Sequence, residues 1–265
     1  MDDHYRADVL AAIIWGLVQG LTEFLPVSSS GHLVVVPEFL AAVGMEVSAP
    51  TLAVTAVLHL GTLVAVLIYF RRDVASVLRM RHDPNGRKIA LLVAVGTVPA
   101  VVGLPMKGRI ESIQENVTYV GIALVATGLI LLVGQRLGRG VRVLLDGRVP
   151  DAVVVGIAQA FALIPGISRS GITISAGNGR GFRPTEAARF SFLLGIPAIA
   201  GAGLISLPDV FAEGGLGLEL LVGLGVATVS GYLAIALLLA ALRRVGLAPF
   251  AIYCFAVGGL TIALL

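Results

Sequence analysis

Residues 19–32 read QGLTEFLPVSSSGH. A carboxylate, a proline, three serines and an imidazole therefore sit inside a chain whose mean hydropathy is +0.96. Ionisable groups at membrane depth cost roughly 2.5–3.5 kcal/mol each on insertion scales unless paired, so they are rare there and mark function. The composition puts the stretch at such a depth. Of 265 residues, 57% are hydrophobic and 13% charged, the balance of a polytopic membrane protein rather than a soluble domain. The lone Cys254 forms no internal disulfide. The net charge of +3 and pI near 9.3 come mostly from positives flanking apolar segments, so nucleic acid binding gets no support. The acidic start MDDHYRAD, with no small-residue cleavage site after the first apolar run, argues against a signal peptide.

A second stretch answers the first. A shift of 140 residues lays Gly16, Gln19, Ser28, Ser30 and Gly31 on Gly156, Gln159, Ser168, Ser170 and Gly171, and each copy has a proline before its serines, Pro26 and Pro165. This reads as an internal repeat. Residues 8–25 are apolar, but Pro26 ends the run before a full span is secured, and Ser28 offers an N-cap for a second short segment over 29–43. Two half-length helices at a polar break suggest a re-entrant hairpin, which membranes tolerate only where it is buried in protein or lines a cavity. Full-length spans are expected at 51–70, 87–105 and 116–135. The pattern then restarts with a broken pair at 150–164 and 168–179 and spans at 185–206, 217–242 and 247–265.

The fold class expected is therefore all-α integral membrane, with one domain over 1–265 built from repeats 1–140 and 141–265. Each repeat holds one hairpin and three transmembrane helices, and the odd number of crossings inverts the second copy relative to the first. Charge sets the orientation. If residues 71–88, 136–148, 180–189 and 243–244 share a side, that side holds fifteen of the nineteen Lys and Arg, against Arg6, Lys107 and Arg109 opposite and Arg169 in the second break. By the positive-inside rule the fifteen are cytoplasmic, so both termini lie outside, as does the acidic loop with Asp209 and Glu213.

The two breaks carry the chemistry. Gln19 and Glu23 share a helix face, as do Ser29 and His32 if a helix starts near Ser28. Each helix starting after Pro26 or Pro165-Gly166 offers free N–H groups and a positive dipole end, and Arg169 adds a planar cation suited to phosphate oxygens. Such a set specifies a phosphorylated lipid. The repeat maps Ser29 onto Arg169, Glu23 onto Leu163 and His32 onto Ile172. The first hairpin thus does chemistry while the second grips the anion.

The segments GLVQGLTEFLPVSSSGHL and PGISRSGITI, with the span TAVLHLGTLVAVLIYFRR, resemble the undecaprenyl-diphosphate phosphatase family of the bacitracin-resistance type. The resemblance runs end to end. It implies a multi-pass cell-membrane enzyme that removes the terminal phosphate of a polyprenyl diphosphate, regenerating the lipid carrier of cell-envelope synthesis with a divalent cation, Mg²⁺ or Ca²⁺. By motif position it implies an acidic motif of Gln19 and Glu23, a serine–histidine motif of Ser29 and His32, and an arginine motif of Ser168, Arg169, Ser170 and Thr173. The first acidic position, often Glu in the family, is Gln19 here. Ser29 would attack phosphorus in line, with Ser28 or Ser30 as substitutes or His32 itself as nucleophile. His32 would take the proton or later activate water, and Arg169 would stabilise the charge. Glu23 would hold the cation, with Gln19 as a weaker oxygen ligand, or orient His32. Ser28, Ser30, Ser168, Ser170 and Thr173 would bind substrate. The partners expected are the polyprenyl diphosphate and the membrane, with a homodimer left open.

Plainer readings stand beside these. Serines after a proline are usually caps, and Glu23 with Arg169 reads also as a structural pair. His59, one turn into a span, reads as a packing or hydrogen-bonding residue, Gln159 as structural, and Glu38 and Glu46 as solvent-facing. A transporter or flippase of polyprenyl phosphates is the rival function, since inverted repeats with broken helices suit transport. A type-2 phosphatidic acid phosphatase is disfavoured because no histidine follows Arg169.

Overall fold

The computed structural model describes residues 3–45, 47, 49–103, 105, 116–212, 215 and 217–264. Glu46, Lys107, Arg109 and Glu213, placed by sequence above, fall outside the described residues, as do the side chains of Arg6 and Asp209. The helices in order are α1 (Asp3–Phe24), α2 (Ser29–Ala42), α3 (Leu52–Tyr69), α4 (Arg71–Leu78), α5 (Pro84–Gly103) and α6 (Val117–Leu137), then α7 (Val149–Phe161), α8 (Arg169–Gly179), α9 (Pro184–Ile205), α10 (Leu207–Ala212), α11 (Leu218–Arg244) and α12 (Ala248–Leu264). A 3₁₀ turn, Leu144–Asp146, precedes α7, and the described residues include no strand beyond one isolated bridge between Arg142 and Phe182.

Among the described residues, five helices are long and apolar enough to cross a membrane: α3, α5, α6, α9 running on into α10, and α11. The chain is a multi-pass helical membrane protein. The apolar part of α1, together with α7 and α12, is shorter. Sequence reading placed most ends within a few residues but did not anticipate α4, α10 or the reach of α1 back to Asp3, all charged or mixed in sequence.

Both breaks form as the residues dictate. Pro26 has no N–H to continue α1, and the Ser28 side chain then caps α2 by accepting from the Gly31 N–H at 3.2 Å. Ser168 caps α8 in the same way, accepting from Gly171 at 3.1 Å. Ser28 has φ 73°, the left-handed region where only glycine is at ease, and among the described residues it is the one non-glycine there. A polar residue is strained at the tip of a break, a placement that accompanies functional sites.

Packing then brings the breaks together. α1 lies along α11, and α7 lies along α5; α6 packs on α12, and α9 on α3 and α8. The α1–α11 approach is close enough that a Cβ at Gly20 would stand 2.7 Å from the Ala227 carbonyl. The Gly166 N–H donates to Ser30 Oγ at 3.4 Å and Ser170 Oγ donates to the Leu25 carbonyl at 3.2 Å, so the tips of the two breaks touch. The largest apolar cluster, including Phe24, Phe190 and Phe192, seals this junction, with the Phe24 and Phe192 rings edge to face at 5.4 Å.

At the arginine-rich end, ion pairs take up several of the clustered cations. Asp151 accepts from Arg142 at 2.6 Å and Arg180 at 2.8 Å, and Arg189 pairs with Asp73 at 2.5 Å and Glu186 at 3.2 Å. The Asp151 carboxylate, beside the guanidinium of Arg142, holds that group's pKa above its ordinary value.

Candidate active site

The last two turns of α1 carry Gln19 and Glu23 on one face, four residues apart, and point them at the start of α2 and α8. Glu23 is buried and is the hub. Its Oε1 accepts from Arg169 Nη2 at 2.8 Å, and its Oε2 accepts from Ser29 Oγ at 2.7 Å and from Gln19 Nε2 at 3.0 Å. The pair Glu23–Arg169 joins the two breaks across 146 residues of chain. A charge buried this deeply is tolerable only because the guanidinium and the hydroxyl satisfy it.

Arg169 fits because α9 makes room for it. A Cβ on Gly195 would stand 2.8 Å from Arg169 Cζ and collide with its Nη1. The same guanidinium donates to the Ser191 carbonyl at 3.4 Å.

A cavity of about 180 Å³ opens beside the cluster, lined by Glu23, Ser28, Ser29, Ser30, Ser168 and Arg169, with His59 on its wall. The N-termini of α2 and α8 border it, so unpaired backbone N–H groups and two positive dipole ends accompany the guanidinium. An adjoining cavity of about 500 Å³ shares Ser30, His59 and Ala202 with the first and runs past Glu38 to Pro50 and Ser206.

The predicted residues divide. Gln19, Glu23, Ser29 and Arg169 are in direct hydrogen-bond contact, and Ser28, Ser30 and Ser168 line the cavity. Ser170 and Thr173 lie behind it. Ser170 ties to Leu25, and Thr173 Oγ1 donates to the Arg169 carbonyl at 2.6 Å and lies 2.7 Å from Ser191 Oγ. Their contacts shape the turn that presents Arg169.

His32 is turned away from Ser29. Its Nδ1 lies 2.7 Å from the Ser28 carbonyl, which only an N–H can approach so closely, and this leaves Nε2 to accept from Tyr253 OH at 2.7 Å. The His32 and Tyr253 rings stack at 5.6 Å. The expected Ser29–His32 pairing is therefore absent, because Ser29 has found Glu23 and His32 has found α12.

Two contributors were given no place at the site by the sequence. Thr127 on α6 donates to the Gly166 carbonyl at 2.9 Å and accepts from the Ser168 N–H at 3.1 Å, fixing the second break. His59, read as a packing or hydrogen-bonding residue, does bond the Thr55 carbonyl through Nδ1 at 2.8 Å, and it also lines both cavities with its Nε2 at 4.0 Å from Glu23 Oε2. Its position on the same face as Thr62 and Thr55 gave no local signal, since the contact with Glu23 is made only in three dimensions.

Gln19 and Glu23 are the residues of this site that could hold a cation together with substrate oxygens. Gln19 turns its amide nitrogen to Glu23, its Oε1 is buried without a partner, and both Glu23 oxygens already accept. Among the described residues no three His, Cys, Asp or Glu gather to bind a metal.

A helical membrane protein with a carboxylate, a hydroxyl and a guanidinium gathered between two helix N-termini is equipped as an enzyme acting on an anionic substrate. The chain belongs to the family described as bacitracin resistance protein BacA, whose pattern matches residues 12–260. It is 44% identical to an undecaprenyl-diphosphatase of Rubrobacter xylanophilus, covering 97% of this chain and 98% of that protein. It is 44% identical to that of a Synechococcus strain (95% and 92% covered) and 40% identical to that of Methanosphaera stadtmanae (97% and 98% covered).

Proposed function

We propose that the protein hydrolyses the terminal phosphate of undecaprenyl diphosphate, or a related polyprenyl diphosphate, to the monophosphate and inorganic phosphate. This recycles the lipid carrier of cell-envelope synthesis. The observation that carries the mechanism is the 2.7 Å bond from Ser29 Oγ to Glu23 Oε2, on a carboxylate whose other oxygen is held by Arg169.

Ser29 Oγ attacks the terminal phosphorus while its proton passes to Glu23, and the bond to the departing polyprenyl phosphate breaks. Arg169 and the N–H groups opening α2 and α8 stabilise charge on the equatorial oxygens. The incoming anion competes with Glu23 for Arg169. Drawing the guanidinium off leaves the carboxylate a better proton acceptor at the moment it is needed.

A divalent cation, Mg²⁺ or Ca²⁺, would neutralise part of the diphosphate's charge when bound beside Glu23 and Gln19. Magnesium bound mainly through phosphates and waters is common, so a protein that contributes few direct ligands is no obstacle.

The repeat organisation, 1–140 and 141–265, and its inversion are part of the same proposal. The exchange of partners supports them: α1 on α11 and α7 on α5 are the pairings that a two-fold relation between the halves would produce. The charge asymmetry supports a cell-membrane location with both termini outside. The larger cavity leads from the site toward the α2–α3 connection, the end away from the Asp151 cluster, which supports an outward opening.

The test is phosphate release from undecaprenyl diphosphate by purified protein in detergent, where there are no sides to cross. Release supports the hydrolase; binding without release under any divalent cation would favour a carrier.

A further inference from the structure

Hydrolysis through Ser29 needs a second step, and the first step leaves no group in place for it. After the attack Glu23 holds the Ser29 proton, and a water must still be deprotonated as it reaches phosphorus. The motif imidazole, His32, does not line the catalytic cavity, and both of its nitrogens are engaged, by the Ser28 carbonyl and Tyr253 OH. A second imidazole is better placed. His59 Nδ1 lies 2.8 Å from the Thr55 carbonyl and so carries the hydrogen, which leaves the Nε2 lone pair toward the site, 4.0 Å from Glu23 Oε2.

His59 also stands where water arrives. It belongs to the walls of both the catalytic cavity and the larger outer cavity, and with Ser30 and Ala202 it forms their shared boundary. The groups facing it are Glu23 of α1 and Arg169 of α8 on the catalytic side and Glu38 of α2 on the outer side; α9 contributes Ala198, Ile199 and Ala202 there. A water entering from the outer cavity therefore passes Nε2 before it reaches the serine.

We propose that His59, and not His32, accepts the proton of the water that releases phosphate from Ser29. This rests on Ser29 being the nucleophile. The water oxygen bonds to phosphorus, its proton goes to His59 Nε2, the Ser29 Oγ–P bond breaks, and Ser29 recovers its proton from Glu23. Inorganic phosphate leaves through the outer cavity, and His59 passes its proton to the departing phosphate or to water. His32 instead ties the start of α2 to α12.

The experiment is rapid-mix turnover of undecaprenyl diphosphate labelled in its terminal phosphate, with wild-type, His59→Ala and His32→Ala proteins, each with and without added imidazole. Folding is checked by size-exclusion profile and melting. For His59→Ala the expected result is one stoichiometric burst of polyprenyl phosphate, label retained covalently on Ser29, and steady phosphate release slowed by at least about a hundredfold. Imidazole, admitted through the outer cavity into the space left by the side chain, restores release. It does not restore His32→Ala, whose defect follows its melting temperature. Unchanged release by folded His59→Ala, or a loss that shows neither retained label nor imidazole rescue, overturns the proposal. Imidazole rescue with no label on Ser29 in any protein would discard the Ser29 intermediate while upholding His59 as the group that activates water.

Discussion

Arg169 Nη2 lies 2.8 Å from Glu23 Oε1, joining the two helix breaks through an ion pair whose carboxylate is buried and whose guanidinium borders the cavity. The pair has two duties. It offsets the burial of two charges, and it holds the cation that the diphosphate will take.

Breaking the pair from one side leaves the other charge without its counterion at a largely enclosed site. Glu23→Gln or Arg169→Gln alone is expected to destabilise by about 3–5 kcal/mol, whereas the double substitution recovers much of that loss and no activity. Melting temperatures of the purified variants in one detergent, compared with phosphate release, check both halves.

Gly195 separates positioning from stability. A methyl group there meets the flexible end of Arg169 rather than backbone, so Gly195→Ala folds with a cost below about 1 kcal/mol while it displaces the guanidinium within its contact with Glu23 rather than breaking the pair. The expected result is at least a tenfold loss of kcat/KM with nearly unchanged melting.

Gln19 tests how the cation is held. Gln19→Glu sets a second carboxylate where an amide now donates to Glu23 at 3.0 Å. Two carboxylates attract a divalent ion together, so the Mg²⁺ concentration for half-maximal release is expected to fall, by about tenfold. An unchanged requirement would show that the ion never comes near this face.

The arginine-rich end gives a structural control. Asp151→Asn removes the carboxylate shared by Arg142 and Arg180, about 15 Å along α7 from the second break, and should lower stability by about 1–3 kcal/mol while the folded enzyme keeps its turnover.

Much of this arrangement is legible in the sequence because punctuation residues act locally. Pro26 with Ser28, and Pro165-Gly166 with Ser168, start helices wherever they occur, and they located both breaks. The 140-residue offset then paired the breaks, and the cost of burying Glu23 and Arg169 pointed to their contact. What escaped depends on packing between distant elements. His32 and Ser29 share a helix face, which suggested a catalytic pair, but Tyr253 lies 221 residues away and its claim on the imidazole has no local sign. His59 was given only a packing or hydrogen-bonding role, and Thr127 was passed over, for the same reason: each is a lone polar residue in a span, and only the placement of α3 and α6 beside the breaks brings it to the site.

The central claim is that the hydroxyl on Glu23 is the one that attacks phosphorus. Phosphate release by Ser29→Ala beside Ser28→Ala, both shown to be folded, tests it most directly. The account predicts that Ser29→Ala loses release entirely while Ser28→Ala, which loses a cap worth about 1 kcal/mol, keeps part of it. Full release by Ser29→Ala with none from Ser28→Ala would contradict it.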